Sequence, residues 1–180
     1  MEKIIEELEK DLRNIIEGRP LKTLRKDLGD VVDIRILRMT IFSLQWTSVG
    51  YQSALRLAGM KLGKGIGTKS EKAELSLVLG EIKKIIETLR GGKVEIEILP
   101  EANEAQLKVY ESSLTAEVPN VLQSLCFFEE GFIEGYLDGV ISKMGPLILI
   151  GRESGIEKVS VEEKRCVGLG DDFCGFLIKF

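Results

Sequence analysis

Three cysteines and one glutamate are the residues of this sequence whose types and spacing point most clearly to chemistry. Cys166 and Cys174 bracket a Gly-Asp turn in the segment EKRCVGLGDDFC, and such a turn can bring both sulfurs to one point. In the segment before it, a period of two places Glu163 on the same face as Val159 and Val161. A lone carboxylate among apolar side chains is costly to bury, and a bound cation would remove that cost.

Zinc is the cation that these residues suit. Three thiolates and one carboxylate form a mixed ligand set that tetrahedral Zn²⁺ accepts, and Cys126, on a predicted long helix, could complete the set. Taken alone, the residues leave two other interpretations open. Free cysteines often serve as small core groups, and Glu163 could lie at the rim of a sheet, paired with Lys or Arg.

The sequence contains no histidine, and this excludes several classes of protein. Ser-His-Asp and Cys-His catalysis, HExxH metalloproteases and His-ligated haem all require an imidazole. The cysteine count of 3 is odd and cannot form a closed disulfide framework. We therefore expect reduced thiols in a cytoplasmic protein.

Length and composition predict one domain that spans residues 1–180. A chain of 180 residues with 44% hydrophobic content is sufficient for one substantial core. The net charge of −4 argues against a nucleic-acid partner, since such binding depends on clustered Lys and Arg. The apolar run from Gly145 to Gly151 is too short to span a membrane, and the N-terminus does not resemble a signal peptide.

Residues 1–92 read as a mainly helical half. Apolar spacing predicts helices up to about residue 17, at 31–44, at 47–61 and at 68–90. Residues 31–44 also fit an extended segment, although we favour a helix. The first helix is amphipathic, and we favour a role for it in dimerisation. The glycine-rich stretch 63–67 reads as a helix stop, since it lacks the spacing and ending of a phosphate loop. Thr68 and Glu71 form a capping-box pattern that predicts the start of the fourth helix.

Residues 93–180 read as a sheet, a long helix and the candidate metal-binding motif. Alternating apolar residues predict strands at 93–98, 106–111, 147–150, 157–165 and 173–180. Pro119 is predicted to begin a helix that runs to about Ser142. Evenly spaced glycines on one face of this helix would allow close packing of its backbone, namely Gly131, Gly135 and Gly139.

The C-terminal motifs resemble those of the 4-vinyl reductase domain family. The pattern Cys-x4-Gly-aromatic-x-x-Gly-aromatic begins at Cys126, and the pattern Cys-x3-Gly-Asp-x2-Cys begins at Cys166. Both occur in order toward the end of the chain, so the resemblance is close over roughly the last 80 residues and looser before them.

This resemblance implies a fold and a ligand set. The family is similar to the ligand-binding fold of haem nitric-oxide sensors and TRAPP vesicle-transport subunits, an α/β (α+β) domain with a four- or five-stranded antiparallel sheet packed with helices. Its members are typically dimeric. In related aromatic-hydrocarbon sensors the domain holds zinc through three cysteines and a glutamate, positions that correspond here to Cys126, Glu163, Cys166 and Cys174.

The resemblance favours a non-catalytic binding domain with a structural zinc site. Its ligand would be hydrocarbon-like or tetrapyrrole-like and would lie in an apolar cavity between helices and sheet. One alternative is a reductase, or an accessory to one, in tetrapyrrole metabolism, although the sequence shows no fingerprint for a hydride donor. A second alternative is a TRAPP-like assembly scaffold, which a filled interior and an exposed apolar face would favour.

Overall fold

The computed structural model describes residues 2–47, 50–151 and 154–180. Within these residues the chain forms five α-helices and four β-strands. In chain order they are α1 (Glu2–Glu17), α2 (Ile34–Thr47), α3 (Tyr51–Gly67), α4 (Leu75–Thr88), β1 (Lys93–Leu99), β2 (Glu104–Tyr110), α5 (Phe127–Met144), β3 (Ser160–Arg165) and β4 (Cys174–Lys179). The predicted α+β class is confirmed. No helix in the described ranges is long and apolar enough to cross a membrane.

The four strands form one antiparallel sheet in the order β1-β2-β4-β3. Alternate residues point into the core, as Leu107 on β2 and Val161 on β3 do. The fifth strand predicted at 147–150 does not form. Leu147 bridges Ile156 and Ile148 bridges Glu74, so neighbouring residues pair with different segments and no ladder can extend.

The core lies between the inner face of the sheet and the helices α4 and α5. Apolar side chains from both layers fill it and are fully or almost fully buried, including Leu75, Leu79, Ile82, Leu107, Ile133, Tyr136, Leu137, Phe176 and Ile178. The core therefore attaches α5 to the strands that carry the C-terminal motif.

Helix α3 continues through the glycine stretch that was predicted to end a helix. A Cβ on Gly63 would lie 2.2 Å from the backbone oxygen of Phe132, and one on Gly135 would lie 2.2 Å from that of Met60. Helices α3 and α5 run parallel, and their backbones are in contact. The evenly spaced glycines of α5 predicted this close packing. Close packing against α5 offsets the low helix propensity of glycine.

Two other helix starts differ from the prediction. The helix expected from Thr68 begins at Leu75, because the Thr68 N–H and hydroxyl donate to carbonyls of the last turn of α3. The helix expected from Pro119 begins at Phe127. Leu122 has a φ of 59°, which an α-helix does not accommodate, and the Val121 N–H donates to the Gly168 oxygen at 2.8 Å. The segment 119–126 is thus a loop packed on the turn after β3.

The N-terminal segment packs on the rest of the fold through only part of its apolar surface. Leu12 and Ile15 of α1 are buried, whereas Ile4, Ile5 and Leu8 on the preceding turns are exposed. The segment that leads into and through α2 exposes further large apolar side chains, among them Leu24, Leu28, Val31, Val32, Ile36 and Met39. The N-terminal segment therefore exposes many large apolar side chains.

Candidate metal centre

The four residues predicted as metal ligands meet at one point. One sulfur or carboxylate oxygen from each of Cys126, Glu163, Cys166 and Cys174 lies within 4.8 Å of the others, and all four residues are buried. Cys126 directly precedes α5, Glu163 lies on β3, Cys166 follows β3, and Cys174 begins β4. The Cys126 and Cys174 sulfurs are 3.1 Å apart, and those of Cys174 and Cys166 are 4.0 Å apart.

The Gly-Asp turn between β3 and β4 brings its two cysteines together. The Cys166 N–H donates to Asp171 Oδ2 at 2.9 Å, and the Asp171 N–H donates to the Cys166 oxygen at 3.1 Å. Gly170 adopts a φ of 94°, which glycine accommodates without a Cβ clash. This closed turn returns the chain to the sheet with Cys174 facing Cys166.

Glu163 provides the structural test of whether the cluster fits a metal ion. Its Oε2 accepts a hydrogen bond from the Cys126 N–H at 3.2 Å, whereas its buried Oε1 has no hydrogen-bond partner. An acceptor left unsatisfied in the interior costs about 1–3 kcal/mol. A cation among the three sulfurs would satisfy this oxygen, so the donor set fits a metal ion.

Burial and hydrogen bonding shift the protonation of these side chains. Burial, with the nearby Cys166, raises the pKa of Glu163 to about 8. The hydrogen bond from the Cys126 thiol lowers the pKa of Cys174 to about 4, and hydrogen bonding to Cys166 and Cys174 raises the pKa of Cys126 well above its usual range. The cluster therefore retains protons near neutral pH, which a bound metal would displace.

Sequence reasoning assigned no role at the site to two further buried polar groups, one of which, Glu129, interacts electrostatically with Glu163 and Cys166. Glu129 Oε2 and the Tyr51 hydroxyl are both buried without a hydrogen-bond partner. Burial raises the pKa of Glu129 to about 8, and burial followed by the charge of Glu129 raises that of Tyr51. The sequence could have pointed to Glu129, because it follows Cys126 by nearly one helical turn. This spacing places both residues on one side of the chain.

The chemistry of the donor set indicates which ion the cluster can hold and in what role. Thiolates favour zinc over hard cations such as Mg²⁺ and Ca²⁺, and tetrahedral zinc takes four ligands of the S and O types found here. The protein supplies four donor atoms and all four residues are buried. Such an arrangement leaves no open coordination position and is typical of structural sites.

Sequence comparison finds two similar curated proteins, while no family model matches the sequence. Both are uncharacterized proteins of Methanocaldococcus jannaschii. One is 25% identical over 96% of this chain and 88% of its own length. The other is 28% identical over 86% of this chain and 81% of its own length.

Comparison with solved structures identifies the fold. A vinyl-4-reductase family protein from M. jannaschii matches with a TM-score of 0.58 and 19% identity, over 99% of this chain and 96% of its own. The phenol-responsive sensory domain of the transcription activator PoxR, solved with phenol, matches with a TM-score of 0.55 and 15% identity, over 96% of this chain and 89% of its own. An H-NOX protein from S. oneidensis, in its Fe(II)NO state, matches with a TM-score of 0.50 and 17% identity, over 94% of this chain and 88% of its own. The chain therefore has the fold of the vinyl-4-reductase protein, as the motif resemblance predicted.

Proposed function

We propose that this chain is a non-catalytic small-molecule-binding domain of the 4-vinyl reductase type with a structural zinc ion. The ligands of the ion are Cys126, Glu163, Cys166 and Cys174. The observation that carries the proposal is the buried cluster itself, in which the partnerless Glu163 Oε1 lies beside three sulfurs. Zinc at this point joins the start of α5 to β3 and β4.

Zinc content tests the metal part of the proposal. Purified wild-type protein is expected to contain one zinc ion per chain, and the double variant Cys166→Ser, Cys174→Ser is expected to contain none. Because zinc binding and folding are linked, the variant should also lose several kcal/mol of unfolding free energy. Asp172→Ser, an exposed change in the same turn, is the control and should keep its zinc. Full metal retention by the double variant would refute the site.

The ligand part rests on the fold and on the apolar character of α5. The PoxR sensory domain of the same fold was solved with phenol. In this chain, Phe128, Phe132 and Tyr136 form an aromatic row along α5, with ring centroids 6.4 and 6.1 Å apart. A hydrocarbon-like or tetrapyrrole-like molecule between the helices and the sheet is the proposed ligand. Because the side chains of this region are buried, we expect the ligand to enter by a movement of the helices away from the sheet.

Native mass spectrometry of gently purified protein tests the ligand. It reports metal, oligomeric state and trapped organic molecules together, and an apolar molecule bound per chain is the expected result. Stripped protein should then bind toluene or protoporphyrin, the probes for the two ligand types. If nothing copurifies and neither probe binds, the ligand proposal is wrong, whatever the zinc content.

A second candidate function, an assembly scaffold, is favoured by two observations. Apolar side chains of the helices and the sheet are buried against one another between the two layers, and α1 and the segment through α2 expose many apolar side chains. Monomeric proteins rarely leave large apolar patches in contact with water. We propose a second copy of the chain as the partner that covers this surface, which makes the protein a homodimer.

A further inference from the structure

We propose that Arg56 and Glu130 are positioning residues of the metal centre, which hold the ligand Glu163 in place for zinc. This inference rests on the proposed function, since it concerns one of the zinc ligands. It assigns a role to a charged network that connects α3, α5 and β3 and that lies outside the ligand set.

The network is defined by four short contacts. Arg56 Nε on α3 lies 2.6 Å from Glu130 Oε1, and Arg56 Nη2 lies 2.6 Å from Glu134 Oε2. On the other side, Glu130 Oε2 accepts from the Glu163 N–H at 3.3 Å, and Glu134 Oε2 accepts from the Val161 N–H at 3.1 Å. Each carboxylate therefore connects the Arg56 guanidinium to the backbone of β3.

The spacing of helix and strand explains why two carboxylates suit this edge. Because β3 is an edge strand, the N–H groups of Val161 and Glu163 lack a neighbouring strand to accept from them. Four residues along a helix rise about 6 Å, close to the roughly 6.7 Å between alternate residues of a strand. Glu130 and Glu134, one turn apart on α5, match the two edge N–H groups in register.

The close contact between α3 and α5 puts Arg56 within reach of both carboxylates. A Cβ on Gly131 would lie 2.0 Å from the Arg56 backbone oxygen, so only glycine permits this approach. The Glu130 and Glu134 side chains are 14% and 16% exposed, and Arg56 supplies the charge that keeps two such neighbouring carboxylates compatible. The guanidinium in turn has a raised pKa, chiefly from its hydrogen bond to Glu130.

The consequence for the metal centre is that Glu163 is fixed from two sides. Glu130 holds its backbone N–H, and the Cys126 N–H holds its Oε2, which leaves the Oε1 free for a cation. Partners that orient metal ligands typically contribute 10–100-fold in metal affinity. Glu134 makes the equivalent contacts one turn further on, but to Val161, which is not a ligand.

Glu130 accepts from a proposed metal ligand and Glu134 does not, so variants of the two carboxylates can be compared directly. Zinc affinity is measured by competition with a chelator for the wild type, Glu130→Ala, Glu130→Gln and the matched control Glu134→Ala. Glu130→Ala is expected to bind zinc about 10–100-fold more weakly. Glu130→Gln keeps an oxygen that can accept from Glu163 and should recover part of the loss. Glu134→Ala should lose stability yet keep an affinity close to that of the wild type.

Cobalt substitution gives a readout that a general loss of stability does not move. The visible spectrum of Co²⁺ reports its coordination, so Glu130→Ala should change this spectrum and Glu134→Ala should not. Unchanged zinc affinity and cobalt spectrum in Glu130→Ala, or equal losses of affinity in both alanine variants, would overturn the inference. If the wild type binds neither metal, the proposed function itself fails and this inference with it.

Discussion

Glu129 is a buried carboxylate outside the ligand set, and it should make the metal-free protein sensitive to pH. Burial raises its pKa from the usual 4.5 to about 8 in the folded chain. Between these values the folded state binds more protons than the unfolded state, so its contribution to stability falls as the pH rises. At pH 8 the chelator-treated Glu129→Gln variant should therefore be more stable than the wild type, by up to about 4 kcal/mol.

Denaturant unfolding in chelator at pH 4.5 and pH 8 measures this difference. The gap between Glu129→Gln and the wild type should be small at pH 4.5 and should grow towards pH 8. Glu101→Gln, at an exposed position, is the control and should track the wild type at both values. Parallel stability curves for Glu129→Gln and the wild type would show that Glu129 ionises normally.

At the residue scale, the sequence predicted where the four candidate ligands lie but not what surrounds them. The Gly-Asp turn and the period of two before it suggested that Cys166, Cys174 and Glu163 could meet, and the family resemblance favoured this over a core or rim position. Arg56 and Glu130 could not be recognised, because charged residues at helical spacing usually lie on a solvated face. Their roles depend on the distance between α3 and α5, which no local pattern specifies.

The contact between α3 and α5 is the element-scale feature most sensitive to substitution. Gly135→Ala would place a methyl group 2.2 Å from the Met60 backbone oxygen, where only a helix shift can relieve the clash. Overpacking of this kind typically costs about 1–3 kcal/mol. Gly80→Ala on α4 is the matched control, since its Cβ would have nothing within 4 Å. That change should leave stability unchanged or raise it by up to about 1 kcal/mol.

Thermal and denaturant unfolding of the two alanine variants checks this prediction. If Gly135→Ala were as stable as Gly80→Ala, backbone contact between the helices would not be required.

The contact between α3 and α5 also explains an error in helix prediction. Glycines 63–67 read locally as a stop, yet the chain stays helical there, because tertiary packing outweighs intrinsic propensity. Conversely, Pro119 suggested a helix start, whereas residues 119–126 are held as a loop by the turn they pack against.

At the scale of the whole molecule, metal removal should loosen one region more than the rest. The proposed zinc ligands lie at the start of α5 and in the β3–β4 hairpin, whereas α4 and β1 contribute none. Hydrogen exchange after chelation should therefore accelerate at residues 119–130 and 160–179 and change least in α4. The Cys166→Ser, Cys174→Ser variant should show no further change with chelator. Uniform acceleration along the chain would indicate that zinc does not act as a local cross-link.

The exposed apolar surface of the N-terminal helices leads to a prediction about assembly. On α1, Ile4, Ile5 and Leu8 are 64%, 44% and 48% exposed and continue the stripe that buries Leu12 and Ile15. A helix that is covered over half of its apolar stripe is expected to bury the remainder against a partner. We place α1 of a second copy there, which makes this helix part of a dimer interface.

Leu8→Glu tests this arrangement, because it puts a charge into the proposed interface without touching the buried part of α1. Sedimentation analysis at micromolar concentration should show a wild-type dimer and a Leu8→Glu monomer of unchanged helix content. Leu122→Glu, which also replaces an exposed leucine but in the loop before α5, is the control and should remain dimeric. If Leu8→Glu sedimented as the wild type does, α1 would lie outside any interface. A shared loss of dimer in both variants would instead indicate non-specific association through apolar surface.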